Sequence, residues 1–283
     1  MRKTQRGVSL VELVVVMTII GVLSSIAVTL VTRVASGQQD NRDRLTLAVT
    51  ADAAVARVAD EVQAALPNSV RLISNVDGVW IEWVPVVDAG RYRGATDTVN
   101  LLPGDPLDLA DASDNHFDVI GTAIGNPAGS VPAGSSLVLQ NLGTPEADVY
   151  LGTSRRADVV LTNAGRHVAF TANGALPNST HTQRFFITST PVTLACVVST
   201  GGLYDLVRYS NYGWQSAQPA SLTHAAWAGA TRALVLGGLG SCSASYSAAL
   251  ANMGLMNLRL SLGAAGSSAH MDFLQQLAID NTP

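Results

Sequence analysis

Apolar residues run almost unbroken from Leu13 to Val31, and between Val8 and Val31 the strongly polar side chain is Glu12. Thr18, Ser24, Ser25 and Thr29 can return their hydroxyls to carbonyls of the preceding turn, and about 20 apolar residues suffice to cross a bilayer. The pattern predicts a membrane-spanning helix over residues 8–31. Beyond it the pattern turns from uniform to striped. Leu45, Ala48, Val49, Val55, Val58, Ala59, Val62 and Leu66 recur at steps of three and four, with Asp40, Arg42, Asp43, Arg57, Asp60 and Glu61 around the rest of the circumference. This predicts that the helix continues over residues 32–66 as an amphipathic half. Gly37 is its weak point, and Pro67, Asn68 and Ser69 end it. The stripe is Ala-rich and keeps no sustained heptad, which favours packing on a sheet over a coiled-coil stalk.

From Val70 the period shortens. Runs of β-prone residues occur at 79–84, 136–142, 159–162, 185–188, 193–198, 203–209 and 255–262. Between them lie turn clusters such as Gly125 to Gly129 and Gly201-Gly202, which imply hairpins and hence a mainly antiparallel sheet. The expected fold class is α+β, with residues 67–283 forming a β-rich head with long loops. Roughly 215 residues beyond the helix are enough for one large core or two small ones.

Charge sharpens this picture at the amino terminus. Arg2, Lys3 and Arg6 precede the apolar run, and by the positive-inside rule they hold that end in the cytoplasm, with the bulk of the chain on the far side of the membrane. Without those three, 14 of the 17 basic residues remain against 21 acids, a formal balance of −7 that argues against nucleic acid as a partner. Glu12 needs its own reason. A charged side chain inside a membrane span costs about 2.5–3.5 kcal/mol on insertion scales, so something in assembly must neutralise it.

The sequence Gly7-Val-Ser-Leu-Val-Glu12, set between the basic leader and the apolar run, resembles the class III leader of type IV pilins and type II secretion pseudopilins. The resemblance implies that prepilin peptidase cuts between Gly7 and Val8, making residues 1–7 a leader, and that Val8 is then N-methylated. The family usually begins its mature chain with Phe, so Val8 departs from the pattern. Cleavage would place a positive amine one helical turn from Glu12, and opposite charges in a low dielectric seek each other. The resemblance implies that Glu12 pairs with the terminal amine of a neighbouring subunit. A plain signal peptide or anchor is the competing reading. The length of the apolar run and the missing small-residue cleavage site oppose the first, and Glu12 opposes the second.

Head motifs narrow the resemblance. Ala65 to Arg71, Phe117 to Gly121, Pro191 to Cys196, Leu206 to Tyr209 and Ile279 to Pro283 look like the MshO-type minor pilins of the mannose-sensitive haemagglutinin (MSHA) pilus. That implies a low-abundance subunit of filament initiation or of the tip complex. Its partners would be other minor and major pilins and the inner-membrane assembly platform. The chain would start as a single-pass inner-membrane protein with a periplasmic head, and later reach the pilus and cell surface. A J-like pseudopilin of a type II secretion system and a pilus-tip adhesin remain as alternatives.

Signals for other chemistry are few. Cys196 and Cys242 lie in the exported part, where a disulfide is favoured over two free thiols, and two cysteines are too few for structural zinc. Asp105, Asp108, Asp111, Asp114 and Asp118 invite a calcium reading, but their spacing does not match an EF-hand and a solvated acidic loop is the favoured one. His116, His167, His181, His224 and His270 show no metal-binding spacing, so no metal and no cofactor is expected. Trp80, Trp83, Tyr204, Tyr209, Tyr212, Trp214 and Trp227 are read as core before they are read as a glycan platform. With no nucleophile elbow, phosphate loop or Ser-x-x-Lys pair, the chain is read as non-enzymatic.

Overall fold

The structure, a computed structural model, describes residues 9–94, 104–125, 129–177, 182–250, 252–263 and 270–282. One helix, α1 (Leu10–Gln63), is followed by fourteen strands. These are β1 (Arg71–Asn75), β2 (Gly78–Trp83), β3 (Val86–Tyr92), β4 (His116–Ile120), β5 (Ser136–Val138), β6 (Arg155–Arg156), β7 (Val160–Thr162), β8 (His167–Ala169), β9 (Arg184–Thr188), β10 (Val192–Val198), β11 (Tyr204–Ser210), β12 (Thr231–Leu250), β13 (Met253–Gly263) and β14 (His270–Asp280). They form two seven-stranded sheets, ordered β1-β2-β10-β11-β12-β13-β14 and β6-β5-β9-β3-β4-β8-β7. Every pairing recorded between these strands is antiparallel. The architecture is α+β and pilin-like, one long N-terminal helix packed on antiparallel sheets.

Contacts divide the chain into two compact units, Met1–Val49 with Gly263–Met271, and Thr50–Leu262 with Asp272–Pro283. In the second unit α1 buries Ala51, Val55, Val58, Ala59 and Val62, positions that a 3.6-residue turn stacks on one face. Arg208 on β11 donates to Glu61 at 2.8 Å and ties that face to the first sheet. Two expectations need correction. Leu45 and Val49 are 66 and 61 % exposed, so the buried stripe begins only at Ala51. The helix ends at Gln63 instead of Leu66, because the Leu66 amide donates to the Val84 carbonyl at 2.8 Å and Ala65 bridges to Pro85, drawing the chain into the sheet before the proline is reached.

Below the helix a polar knot closes the fold. Asn68 takes a left-handed conformation at φ 57°, and its side-chain amide donates to the carbonyls of Asn141 and Asn281. Asn281, 4 % exposed, accepts from the Asn68 amide at 3.2 Å and donates to the Tyr246 hydroxyl at 3.1 Å. Helix end, a head loop and the carboxyl-terminal segment are thereby joined.

Strands also appear where none is expected. The 136–142 run is a strand only over Ser136–Val138, while β1, β3, β4, β6, β8, β12 and β14 are additional. β12 is the longest, with 20 residues. Its first part pairs with β11 and its later part with β13. A bulge interrupts the pairing with β11. Tyr204 opposes Leu239 while Leu206 opposes Leu236, and the extra residue falls at Gly237-Gly238, where Gly238 has φ 72° and donates its amide to Asp205.

Candidate functional site

The amino-terminal half of α1 presents an unbroken apolar surface. Its large hydrophobic side chains from Leu10 to Val34 are all exposed, and even the least exposed, Val16, shows 47 % of its surface. Thr18 returns its hydroxyl to the Val15 carbonyl at 2.8 Å, Ser25 to Val22 at 2.7 Å and Thr29 to Ser25 at 2.9 Å, so each hydroxyl is satisfied without water. A surface this apolar is stable only in lipid or against other helices. Among the described residues α1 is the one helix long and apolar enough to cross a membrane. Glu12 lies in its first turn, where the helix dipole favours a negative charge. Among the described residues it makes no hydrogen bond or ion pair. Gly7 and Val8 lie outside the described residues.

In the head, a disulfide joins Cys196 on β10 to Cys242 on β12, strands that flank β11, with Cα atoms 6.2 Å apart. The acidic series does not converge on one point. Asp108 accepts the Ala110 amide, Asp111 accepts both the amide and the hydroxyl of Ser113, and Asp114 accepts the Asp108 amide at 2.6 Å. These carboxylates close their own turns. The Ser113 contacts hold the Asp111 carboxyl below its ordinary range. Asp105 does something else. Its carboxylate contacts His116 Nδ1 and lies 3.8 Å from His167 Nδ1, while His167 Nδ1 is also 2.9 Å from Asp118 Oδ1. Burial works against the Asp118 carboxylate, but His167, the Asp105 amide and the Arg93 cation outweigh it and keep its pKa below the usual value. His224 caps a short turn by accepting the Ala226 amide at 3.2 Å, His270 begins β14, and His181 lies outside the described residues.

The aromatic residues build core. Trp227 stacks on Tyr209 at 4.3 Å and on Trp80 at 5.8 Å and meets the edge of Tyr212 at 5.1 Å, with Trp80 fully buried. Trp83 is fully buried as well, and Trp214 is covered by the Arg155 guanidinium at 3.8 Å. Little ring face is left for a sugar.

With the apolar half of the helix and its one acid placed, the comparison that bears on them is local. Residues 2–28 match the family model of the prokaryotic N-terminal methylation motif. The basic residues, Gly7, Val8, Glu12 and most of the apolar run fall inside that match. It supports a type IV pilin-like protein, of a pilus or a pseudopilus, handled by prepilin peptidase and assembled with other pilins. Such proteins are generally structural and not enzymatic. The leader and apolar helix fit membrane anchoring. No curated protein and no solved structure matches the chain.

Outside this pilin-like helix, a second set of residues escapes sequence reasoning. Glu82, fully buried on β2, pairs with Arg71 directly across on β1 and accepts the Tyr212 hydroxyl at 2.8 Å. Thr193, opposite Glu82 on β10, lies 2.7 Å from the same hydroxyl. Arg71 also donates to the carbonyls of Gln215 and Ser216, both at 2.8 Å, and its guanidinium covers the Tyr150 ring at 3.6 Å. This network pins the 211–218 loop to the sheet.

Proposed function

We propose that this chain is a minor pilin of a type IV pilus of the MSHA type, acting in filament initiation or in the tip complex. Prepilin peptidase cuts between Gly7 and Val8, Val8 is N-methylated, and the subunit waits in the inner membrane with residues 67–283 in the periplasm. It then leaves the membrane for the pilus. The observation that carries the reading is Glu12, a carboxylate without a partner among the described residues, at the start of an exposed apolar helix inside a matched methylation motif. The terminal amine of Val8 on an adjoining subunit supplies its counter-charge. Two charges about 4 Å apart attract with roughly 4 kcal/mol at an effective dielectric of 20, more than the insertion cost of the acid. Pairing therefore sets axial register while apolar packing supplies the bulk of the affinity.

Two features favour a minor over a major subunit. Two seven-stranded sheets with long loops make a head too large to repeat easily in a tightly packed helix, whereas a tip leaves space above it. The head motifs at 65–71, 117–121 and 191–196 point the same way. Deleting the gene is the test. Loss of surface pili with exoprotein secretion intact supports the proposal, the reverse identifies a J-like pseudopilin, and pili that assemble without adhering identify a tip adhesin.

A further inference from the structure

We infer that Asp105, His116 and His167 form a binding site for a zinc-class divalent cation. The strand pair dictates the arrangement. β4 alternates, sending Phe117 (0 % exposed) and Val119 (9 %) into the core and His116 and Asp118 to the opposite face. β8 runs antiparallel beside it in a register that sets His167 directly opposite Asp118, with Val168 buried behind. Asp105 arrives from a preceding loop that is fastened twice. The Asp118 amide donates to the Asp105 carbonyl at 2.8 Å, and the Asp105 amide donates to Asp118 Oδ2 at 2.9 Å. Two imidazoles and a carboxylate are thus brought together by sheet register and by loop anchoring, not by adjacency in sequence.

The geometry suits a metal. One ligand atom from each of Asp105, His116 and His167 lies within 4.8 Å of the other two. In a tetrahedral zinc site with bonds of about 2.0–2.2 Å, neighbouring ligand atoms sit about 3.3–3.6 Å apart, so the 3.8 Å between Asp105 Oδ2 and His167 Nδ1 needs only a small adjustment, while the 2.5 Å contact between Asp105 and His116 opens by about 1 Å to admit the ion. Asp118 Oδ1, 2.9 Å from His167 Nδ1, is at hydrogen-bond distance and holds that imidazole beside the cluster. Its other oxygen is held by the Asp105 amide, so Asp118 is the kind of outer carboxylate that orients a ligating histidine. The imidazole rings stack at 5.9 Å, and the side chains of Asp105, His116 and His167 are 32, 51 and 24 % exposed, which leaves an entry path. Donor chemistry selects the ion. Calcium and magnesium favour shells of oxygen, whereas two imidazoles with a carboxylate suit zinc and the neighbouring first-row divalent ions. A cation here staples the 104–115 loop to the β4–β8 pair, and this site stands independently of the filament reading.

The test uses the full-length chain in detergent, carrying no polyhistidine tag and stripped with a chelator, titrated with zinc against a chromophoric competitor. Wild type should take up one equivalent per chain, and cobalt in its place should give the visible absorption of a tetrahedral centre. His116→Ala/His167→Ala should bind at least tenfold more weakly, while Asp111→Asn, an acid in the same loop outside the cluster, should bind as wild type does. Zinc should also raise the thermal midpoint of wild type and leave that of the double variant unchanged. If the double variant does not fold, His167→Gln replaces it with the same expectation. Failure of wild type to bind stoichiometrically, equal binding by the histidine variant, or uptake of calcium in preference to zinc would each overturn the assignment.

Discussion

Glu82 offers the sharpest test of how the head is held together. Removing it as Glu82→Ala leaves the Arg71 guanidinium and the Tyr212 hydroxyl without their shared acceptor at a fully buried position. Breaking a buried pair by deleting one partner costs about 3–5 kcal/mol. Arg71 keeps two carbonyl partners and a side chain that is 23 % exposed, so the cost belongs at the low end, about 3 kcal/mol at neutral pH. The same site has a pH signature. Burial pushes the Glu82 carboxyl above its ordinary value of 4.5, and Arg71 and Tyr212 offset this only in part. The folded chain then holds the proton more tightly than the unfolded chain does. This contribution to stability is fully present below the unfolded value and is lost as pH rises through the folded one. The Glu82→Gln variant lacks that slope, so wild type should lose stability relative to it as pH climbs above 4.5. Urea unfolding of the full-length protein in detergent, followed by the fluorescence of buried Trp80 and Trp83, reads both effects. An alanine variant within 1 kcal/mol of wild type, or a wild-type minus glutamine difference independent of pH, would refute the reasoning.

Two further outcomes follow from the helix and the head. Glu12→Ala should leave cleavage at Gly7 largely intact, since the peptidase reads the small residue before the cut, but should strongly reduce incorporation into filaments, as measured by immunoblotting of sheared pili; normal incorporation would remove the role assigned to the charge. Replacing the bridge as Cys196→Ser/Cys242→Ser opens a loop spanning 46 residues and should cost up to about 4 kcal/mol in urea unfolding, with the reduced wild type showing the same loss.

Much of this was legible in the sequence where one physical requirement dominates. A span with a single acid, and an apolar stripe from Val55 to Val62 at helical spacing, leave little choice of structure, and the β-prone runs at 193–198 and 203–209 are close to β10 and β11. What was hidden depends on pairing. β12 carries Gly237-Gly238-Leu-Gly240-Ser-Cys-Ser-Ala-Ser-Tyr, a composition with weak strand propensity, and it is a strand because β11 and β13 hold it on either side. The Leu45 and Val49 positions fit the stripe by period, yet period alone does not tell how far a sheet reaches along a helix. His116 and His167 are separated by three strands, β5, β6 and β7, before β8 returns beside β4. The alternation around Phe117 and Val119 places His116 and Asp118 on one face, but the register that adds His167 is a tertiary fact. Glu82 is the one charged residue of an otherwise apolar run, and its partner Arg71 is found only once β1 is known to be a strand.

We propose that the amino terminus created at Val8 is the counter-charge for Glu12 on a neighbouring subunit. The most direct measurement is the intact mass, with amino-terminal sequencing by tandem mass spectrometry, of the native protein extracted from membranes and from sheared filaments. The expected chain begins at Val8, carries one N-methyl group and is present in the filament fraction. A native chain that still holds Met1 to Gly7 in that fraction would contradict it.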